Sequence, residues 1–274
     1  MVAATASPGI DGAEAGLREA MRARRRVLVA FSGGVDSGLV ARLAHDALGK
    51  DALAAIADAE SLARSDLEAA RASAEEIGIP VRTVRVSELA NPSYAANPRD
   101  RCYFCRTELG TALVRLARDL GYATIADGVN LTDLGDVRPG IRAMDEAGFW
   151  HPLAEFRLGK PEVRQLARRL GLSFADRPSN SCLSSRIAYG EVITLNKLRR
   201  VETAEEALRA LGFPLVRVRA QDGAARIEVP LEDLPRLAEP GTCRRAHEAV
   251  LAAGFLQVTV DPRGYRSGSM NEAP

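Results

Sequence analysis

Net charge is the first thing this chain lacks. Its 274 residues carry 37 lysines and arginines against 36 aspartates and glutamates, so no general field draws it to a polyanion. A nucleic-acid substrate would need a local basic patch, and no basic, aromatic-studded appendage is evident, so no nucleic-acid partner is expected. Long apolar runs are missing too. None approaches the roughly 20 residues of a membrane-spanning helix, so no membrane association is expected either. The start, Met1 to Asp11, is small and polar rather than basic and then apolar, which does not read as a secretory signal and makes a cytoplasmic location the expectation. Four cysteines in a chain of this length do not make a disulfide scaffold. The histidines, His45, His151 and His247, are scattered and read as structural. Neither an internal repeat nor a low-complexity segment occurs. What is present is 46% apolar content, enough to bury the core of one large domain or two modest ones.

The most informative stretch runs from Arg26 to Ser37, Arg-Val-Leu-Val-Ala-Phe-Ser-Gly-Gly-Val-Asp-Ser. Val27 to Phe31 is continuously apolar, the pattern of a parallel strand buried on both faces. Helical spacing resumes from Gly38 to Ala44. Strand, glycine turn and helix start together aim unpaired backbone N–H groups and a positive helix end at an anion. Gly33 and Gly34 let the main chain approach a phosphate with no Cβ in the way. Ser32 and Ser37 can donate hydroxyl hydrogen bonds, and Asp36 can hold a magnesium ion or cap the helix. A Walker A loop is excluded, because this loop is too short and has no lysine beside its last serine. The string Ser-Gly-Gly-Val-Asp-Ser at a strand's end resembles the PP-loop of the N-type ATP pyrophosphatases. That resemblance implies cleavage of ATP between its α and β phosphates, with Mg2+, and a nucleotide held by Ala30, Ser32, Gly33, Gly34, Val35, Asp36 and Ser37.

Taken in order, residues 1–12 read as a tail and Ala13 to Arg25 as a helix ending in a basic cluster, which suits a helix C-terminus. Further strands are expected at Asp51–Ala57, Pro80–Val86 and Gly121–Gly128, with an alanine-rich helix over Ser65–Ile77 between the first two. Strands alternating with helices predict an α/β domain with a doubly wound parallel sheet, whose ligands bind at the carboxyl ends of the strands. Ser32, Asp58 and Gly128 fall at such ends. Near residue 190 the texture changes. A helix over Glu191–Leu211, strands at Leu215–Arg219 and Arg226–Val229, a helix around Arg244–Ala253 and a strand at Leu256–Val260 predict a smaller α+β domain. The expected division is 13–188 and 189–274.

A second dense stretch, Ala126 to Gly140, combines carboxylates with turn formers. It reads either as a solvated loop capped at Asn130 or Asp133, or as a second nucleotide motif. In the latter case Asn130 and Asp133 face the nucleotide or its magnesium and Arg138 neutralises a phosphate. The Asp127-Gly128 strand end followed by Asn130 and Asp133 resembles that second motif of the PP-loop enzymes.

Cysteine spacing narrows the class. Arg101-Cys102-Tyr103-Phe104-Cys105 is a C-x-x-C, compatible with plain packing, half a zinc site or a redox pair. No second C-x-x-C or histidine pair completes a zinc tetrad. Cys182, in Arg177-Pro178-Ser179-Asn180-Ser181-Cys182-Leu183-Ser184-Ser185-Arg186, supplies a third thiol, and three thiolates suit an iron–sulfur cluster with one iron left open. Cys243, at a helix start, reads as buried.

These cysteine blocks, Asp136-Val137-Arg138-Pro139-Gly140, the run from Pro178 to Gly190 and the closing Gly264 to Asn271 together resemble the LarE sulfur transferases, from about residue 15 to the C-terminus. The resemblance implies a PP-loop fold of the adenine nucleotide alpha hydrolase kind and a homo-oligomer. The implied substrate is a pyridinium-3,5-biscarboxylic acid mononucleotide, whose carboxylates become thiocarboxylates during synthesis of the nickel-pincer nucleotide of lactate racemase. Sulfur would come either from Cys182 itself, which becomes dehydroalanine, or from a [4Fe-4S] cluster on Cys102, Cys105 and Cys182. Three cysteines favour the cluster. Asp36, Cys182 and Arg186 are the expected catalytic residues. Arg186 could lower a thiol pKa or hold the substrate phosphate alongside Ser185, and Arg217 and Arg219, alternating on a strand, could clamp that phosphate. For those two arginines a solvated sheet face is an equal alternative. Lys160, Glu205 and Glu228 are weaker candidates.

Overall fold

The apolar run after Arg26 forms β1, Val27–Ala30, and it lies in the interior of a sheet. The computed structural model describes residues 9–135, 139–178 and 180–266. With β2 at Ala52–Ala59, β3 at Val81–Val86 and β4 at Thr124–Ala126, the sheet is parallel throughout, ordered β3-β2-β1-β4. Alternation along the strands feeds two cores. Val27 and Val29 of β1 and Ala52, Ala54 and Ile56 of β2 pack with Leu17, Met21, Leu39, Leu43, Leu67, Ala74 and Leu166. Leu28, Leu53 and Ala55 face the other way, against Leu113, Ala117, Met144 and Phe149. Helices Ile10–Arg24, Val35–Leu48, Arg64–Ile77 and Lys160–Arg169 therefore cover one face, and Arg101–Leu120 with Pro139–Glu146 the other. This is the doubly wound arrangement expected from the sequence. The first helix begins earlier than expected, so Ile10 to Gly12 are helical rather than tail.

The chain moves outward from β1 to β2 to β3, then returns to place β4 on the other side of β1. The order thus reverses between β1 and β4, and the loops after both strands flank that switch point, where open α/β sheets take their ligands. This unit comprises the residues up to Ser87 together with Asp100–Asn180.

The second unit runs from Ser181 onward and also includes Glu88–Arg99. Its three-stranded sheet joins β5 (Arg217–Gln221), β6 (Ala224–Glu228) and β7 (Gln257–Val260) in that order, β5–β6 antiparallel and β6–β7 parallel. Asp222 and Gly223 form the two-residue hairpin turn, both at positive φ (49° and 81°), as a type I′ turn requires. Helices Leu195–Ala210 and Pro240–Ala252 complete the unit. The excursion Glu88–Arg99 is fastened by side chains. Asn97, fully buried, donates from Nδ2 to the carbonyls of Ala188 (2.7 Å) and Glu191 (3.1 Å), and Tyr94 Oη lies 2.6 Å from Ser184 Oγ. Among the described residues no helix is long and apolar enough to cross a membrane.

Glycines in the sheet unit separate two kinds of constraint. Gly33 has φ +75°, and a Cβ there would lie 2.5 Å from the Ala70 Cα; Gly148 has the same φ but open space around it. Replacing Gly148 by Ala should cost only the left-handed penalty, about 1–2 kcal/mol. Gly33→Ala adds overpacking of about 1–3 kcal/mol, so its urea midpoint should fall clearly further.

Candidate functional site

Phe31 N still donates to Ala55 O (2.9 Å), and the chain then leaves the sheet at Ser32. Gly34 is the N-cap of helix Val35–Leu48, and no side chain caps that helix. Its first-turn N–H groups consequently have no intrahelical acceptor, and with the helix dipole they favour an anion. The serines brace the loop. Ser32 N donates to Ser37 Oγ (3.2 Å), the two hydroxyls lie 3.1 Å apart, and Ser37 Oγ donates to Gly34 O (3.3 Å). Ala30 closes β1 and Val35, buried, anchors the helix start in the core.

The loop after β4 leans directly on this helix end. A Cβ on Gly128 would sit 2.6 Å from Ser37 N and 3.0 Å from the Asp36 carbonyl carbon, so only glycine permits the approach. Asn130 and Asp133 form a capping box, and Asn130 Nδ2 also donates to Asp36 Oδ1 (3.2 Å). Lys160 Nζ lies 2.5 Å from Asp36 Oδ2, with its backbone N–H held by Thr132 Oγ1. Asp36 thus sits between an amide and a cation, on the helix turn that faces the loop. Asp58, near the end of β2, pairs with Arg64 at 2.6 Å. Arg138 lies outside the described residues, as do Asp136, Val137 and Ser179 and the closing run from Ser267.

One support was not singled out by its sequence. His151 Nδ1 is 2.7 Å from the Asp127 carboxylate and Nε2 is 2.9 Å from Asp145 Oδ1, while Asp127 also accepts from Val129 N. The histidine therefore holds the strand end that carries Gly128.

Cys102 and Cys105 lie in the first turns of helix Arg101–Leu120, exposed and half-buried respectively. Cys182 belongs to the second unit, where it is the N-cap of the 3₁₀ turn Leu183–Arg186. Its carbonyl accepts from Ser185 N (3.0 Å), Ser185 Oγ (2.7 Å) and Arg186 Nη1 (2.9 Å). Arg186 is 1% exposed and pairs with the fully buried Glu205 at 2.9 Å, so its guanidinium is spent on Glu205 and on the Ser181–Ser185 turn. Arg219, also buried, pairs with Glu228 (2.8 Å) and donates to Ser185 O (3.0 Å). Both strand arginines are buried, which removes the solvated-face alternative. Arg217 differs from the other two. It is 4% exposed, donates to Val216 O, faces the Tyr265 ring, and has no carboxylate within ion-pair distance among the described residues. Burial, and next the charge of Arg186, pull its pKa below the usual arginine range. Cys243 is half-buried, with Sγ 3.5 Å from His247 Nδ1.

For a cluster, the donors fit in kind: none of the cysteines is in a disulfide, and Cys102, Cys105 and Cys182 are all at least partly accessible. Among the described residues no three His, Cys, Asp or Glu side chains gather into a metal-holding group.

With this geometry in view, the chain is 36% identical over 260 residues to the pyridinium-3,5-bisthiocarboxylic acid mononucleotide synthase of Lactiplantibacillus plantarum, covering 94% of each. The chain belongs to the LarE family. An uncharacterized protein of Synechocystis sp. is 49% identical over 90% of this chain and 92% of its own length. A family model described as NAD synthase matches residues 13–106, the part that holds the PP-loop. The tRNA-specific 2-thiouridylase of Methylobacterium radiotolerans is 32% identical over 61% of this chain, and only 54% of that enzyme is covered.

His151 gives a pH test of this LarE chain. Burial pushes the imidazole pKa down, but Asp127 and then Asp145 outweigh that and raise it above the ordinary value. The stabilisation is therefore complete below about pH 6.5, the unfolded value, and is lost as pH rises through the higher folded one. The stability gap between wild type and His151→Gln, measured by thermal unfolding, should be widest in mildly acidic buffer and shrink towards alkaline pH.

Proposed function

We propose that this chain is an ATP-dependent sulfur transferase that converts carboxylates of a pyridinium-3,5-biscarboxylic acid mononucleotide to thiocarboxylates. The observation that carries the ATP half is the uncapped helix start behind Ser32–Gly34, at the switch point of the sheet. The name of the L. plantarum relative supports the substrate.

A carboxylate is a poor acceptor for sulfur because oxide cannot leave at neutral pH. Attack of a substrate carboxylate oxygen on the α-phosphorus of ATP forms an acyl adenylate. The bond to the β-phosphate breaks and its electron pair departs with pyrophosphate. The first-turn N–H groups of helix Val35–Leu48 and the Ser32 and Ser37 hydroxyls stabilise that growing charge. Asp36 would hold Mg2+, which would neutralise phosphate charge, and Lys160, 2.5 Å from its carboxylate, would then be available to a phosphate. Sulfur then displaces AMP from the acyl carbon.

In the second unit Arg186 fixes the Cys182 backbone through Ser181 and the Cys182 carbonyl. Arg217 is a buried cation with no carboxylate within ion-pair distance among the described residues, and the substrate phosphate is the group that would supply an anion; Arg219 and Ser185 hold the adjoining turn. Cys102, Cys105 and Cys182 would hold a [4Fe-4S] cluster, which when bound supplies sulfide without consuming the protein. Alternatively the Cys182 thiolate attacks the acyl carbon. The resulting thioester loses the cysteine Cα proton, the Cβ–Sγ bond breaks, and a thiocarboxylate leaves a dehydroalanine.

Anaerobic assays with ATP and Mg2+ should show pyrophosphate release with the pyridinium mononucleotide, and none with tRNA or ammonia acceptors. Asp36→Asn should suppress that release while the fold persists. After iron and sulfide reconstitution, many turnovers, unchanged protein mass, and loss of sulfur transfer in each of Cys102→Ala, Cys105→Ala and Cys182→Ala are expected. A single turnover with loss of about one H₂S in mass, and full activity in Cys102→Ala, would assign the sulfur to Cys182.

Arg217→Ala should raise KM for the pyridinium nucleotide about 10- to 100-fold, the worth of a charge-assisted hydrogen bond, with KM for ATP little changed. Equal effects on both substrates would point to disrupted packing.

A further inference from the structure

We propose that Arg177 is a binding residue for the departing pyrophosphate, a role that rests on the ATP-cleaving reading above. The argument is one of charge around the loop. Pyrophosphate carries several negative charges, whereas a helix start offers the equivalent of only about half a positive charge. Lys160, the ammonium beside the loop, is matched by Asp36 at 2.5 Å. Arg177 is exposed, and among the described residues no carboxylate lies within ion-pair distance of it. Its Nη1 donates instead to two neutral acceptors, Gly33 O of the PP-loop (3.4 Å) and Ser73 Oγ (3.3 Å).

That placement is built by buried neighbours. A Cβ on Gly38 would lie 2.4 Å from the Phe174 ring, so the ring sits flush on the PP-loop helix, and Phe174 itself is 2% exposed. Phe174 O accepts from Arg177 N (3.1 Å), and its ring lies 5.5 Å from the guanidinium. On the far side Asn180 Nδ2 donates to Asp66 Oδ2 (2.6 Å), fastening the segment to helix Arg64–Ile77. The arginine is thus carried on a fixed loop while its head makes only long, replaceable contacts, which contribute little to folding. When the α–β bond breaks and the electron pair leaves with pyrophosphate, the planar fork can turn from the Gly33 carbonyl to two phosphate oxygens.

Titration calorimetry with inorganic pyrophosphate plus Mg2+, and separately with AMP, tests the assignment on wild type, Arg177→Gln and Arg177→Lys. The expected result is pyrophosphate binding weakened about 10- to 100-fold in Arg177→Gln and less in Arg177→Lys. AMP affinity and the unfolding midpoint should stay at wild-type values, and kcat for pyrophosphate release should fall more than KM for ATP rises. Wild-type pyrophosphate affinity in Arg177→Gln, or equal loss of pyrophosphate and AMP binding, overturns the proposal. A wild-type chain that binds neither ATP nor pyrophosphate would instead overturn the ATP-cleaving reading beneath it.

Discussion

The sheet unit leaves the first turn of helix Val35–Leu48 without a side-chain cap. A serine or aspartate at the N-cap would stabilise such a helix by about 1 kcal/mol; Gly34 stands there instead, and no other side chain takes the place. The surrounding structure keeps that turn approachable by removing Cβ atoms rather than adding donors. Gly33 lies against Ala70, Gly128 against the Ser37 amide, and Gly38 under the Phe174 ring. The wall of the site is therefore largely backbone, whose dipoles are fixed by the fold and need little reorganisation when charge develops.

In the second unit the constraint is different: several charges are buried and held by hydrogen bonds to one another and to nearby backbone. Arg186 with Glu205, and Arg219 with Glu228, are within hydrogen-bond distance and almost wholly out of water. Such pairs gain little net stability, because desolvation offsets most of the attraction, yet losing one partner costs about 3–5 kcal/mol. What they secure is position, since both arginines also grip the turn that follows Cys182. Arg217 shares the burial, but among the described residues no carboxylate lies within ion-pair distance of it.

Local chemistry was legible in the sequence; long-range side-chain chemistry was not. The PP-loop could be read because strand, glycine turn and helix start are contiguous, and each step has its own residue signature. The Asp127-Gly128 strand end was legible for the same reason. Arg186 was expected to face a thiol or phosphate, but nothing in its neighbourhood announces Glu205, which lies one helix further on and reaches it at 2.9 Å. His151 looked like an isolated histidine, because its partners Asp127 and Asp145 meet it only after β4 pairs with Trp150. The β5–β6 hairpin did have a sequence signal, Asp222-Gly223; the strands, expected to end at Arg219 and begin again at Arg226, run right up to it.

The excursion Glu88–Arg99 has a bearing on how the chain comes to be assembled. Made from the N-terminus, Tyr94 and Asn97 leave the ribosome long before the residues they bind, since Ser184 follows Tyr94 by 90 positions. At about 5–20 residues per second, that is a wait of roughly 5–20 seconds. During that interval the neighbouring strands β1 to β3 are already available to pair, while the excursion hangs as an unmatched loop between β3 and the C-x-x-C helix. Its buried anchors are a carboxylate, a phenol and an amide rather than a run of leucines. A waiting segment of that make-up stays hydrated and does not invite premature collapse, so vectorial synthesis and the interleaved chain path are compatible.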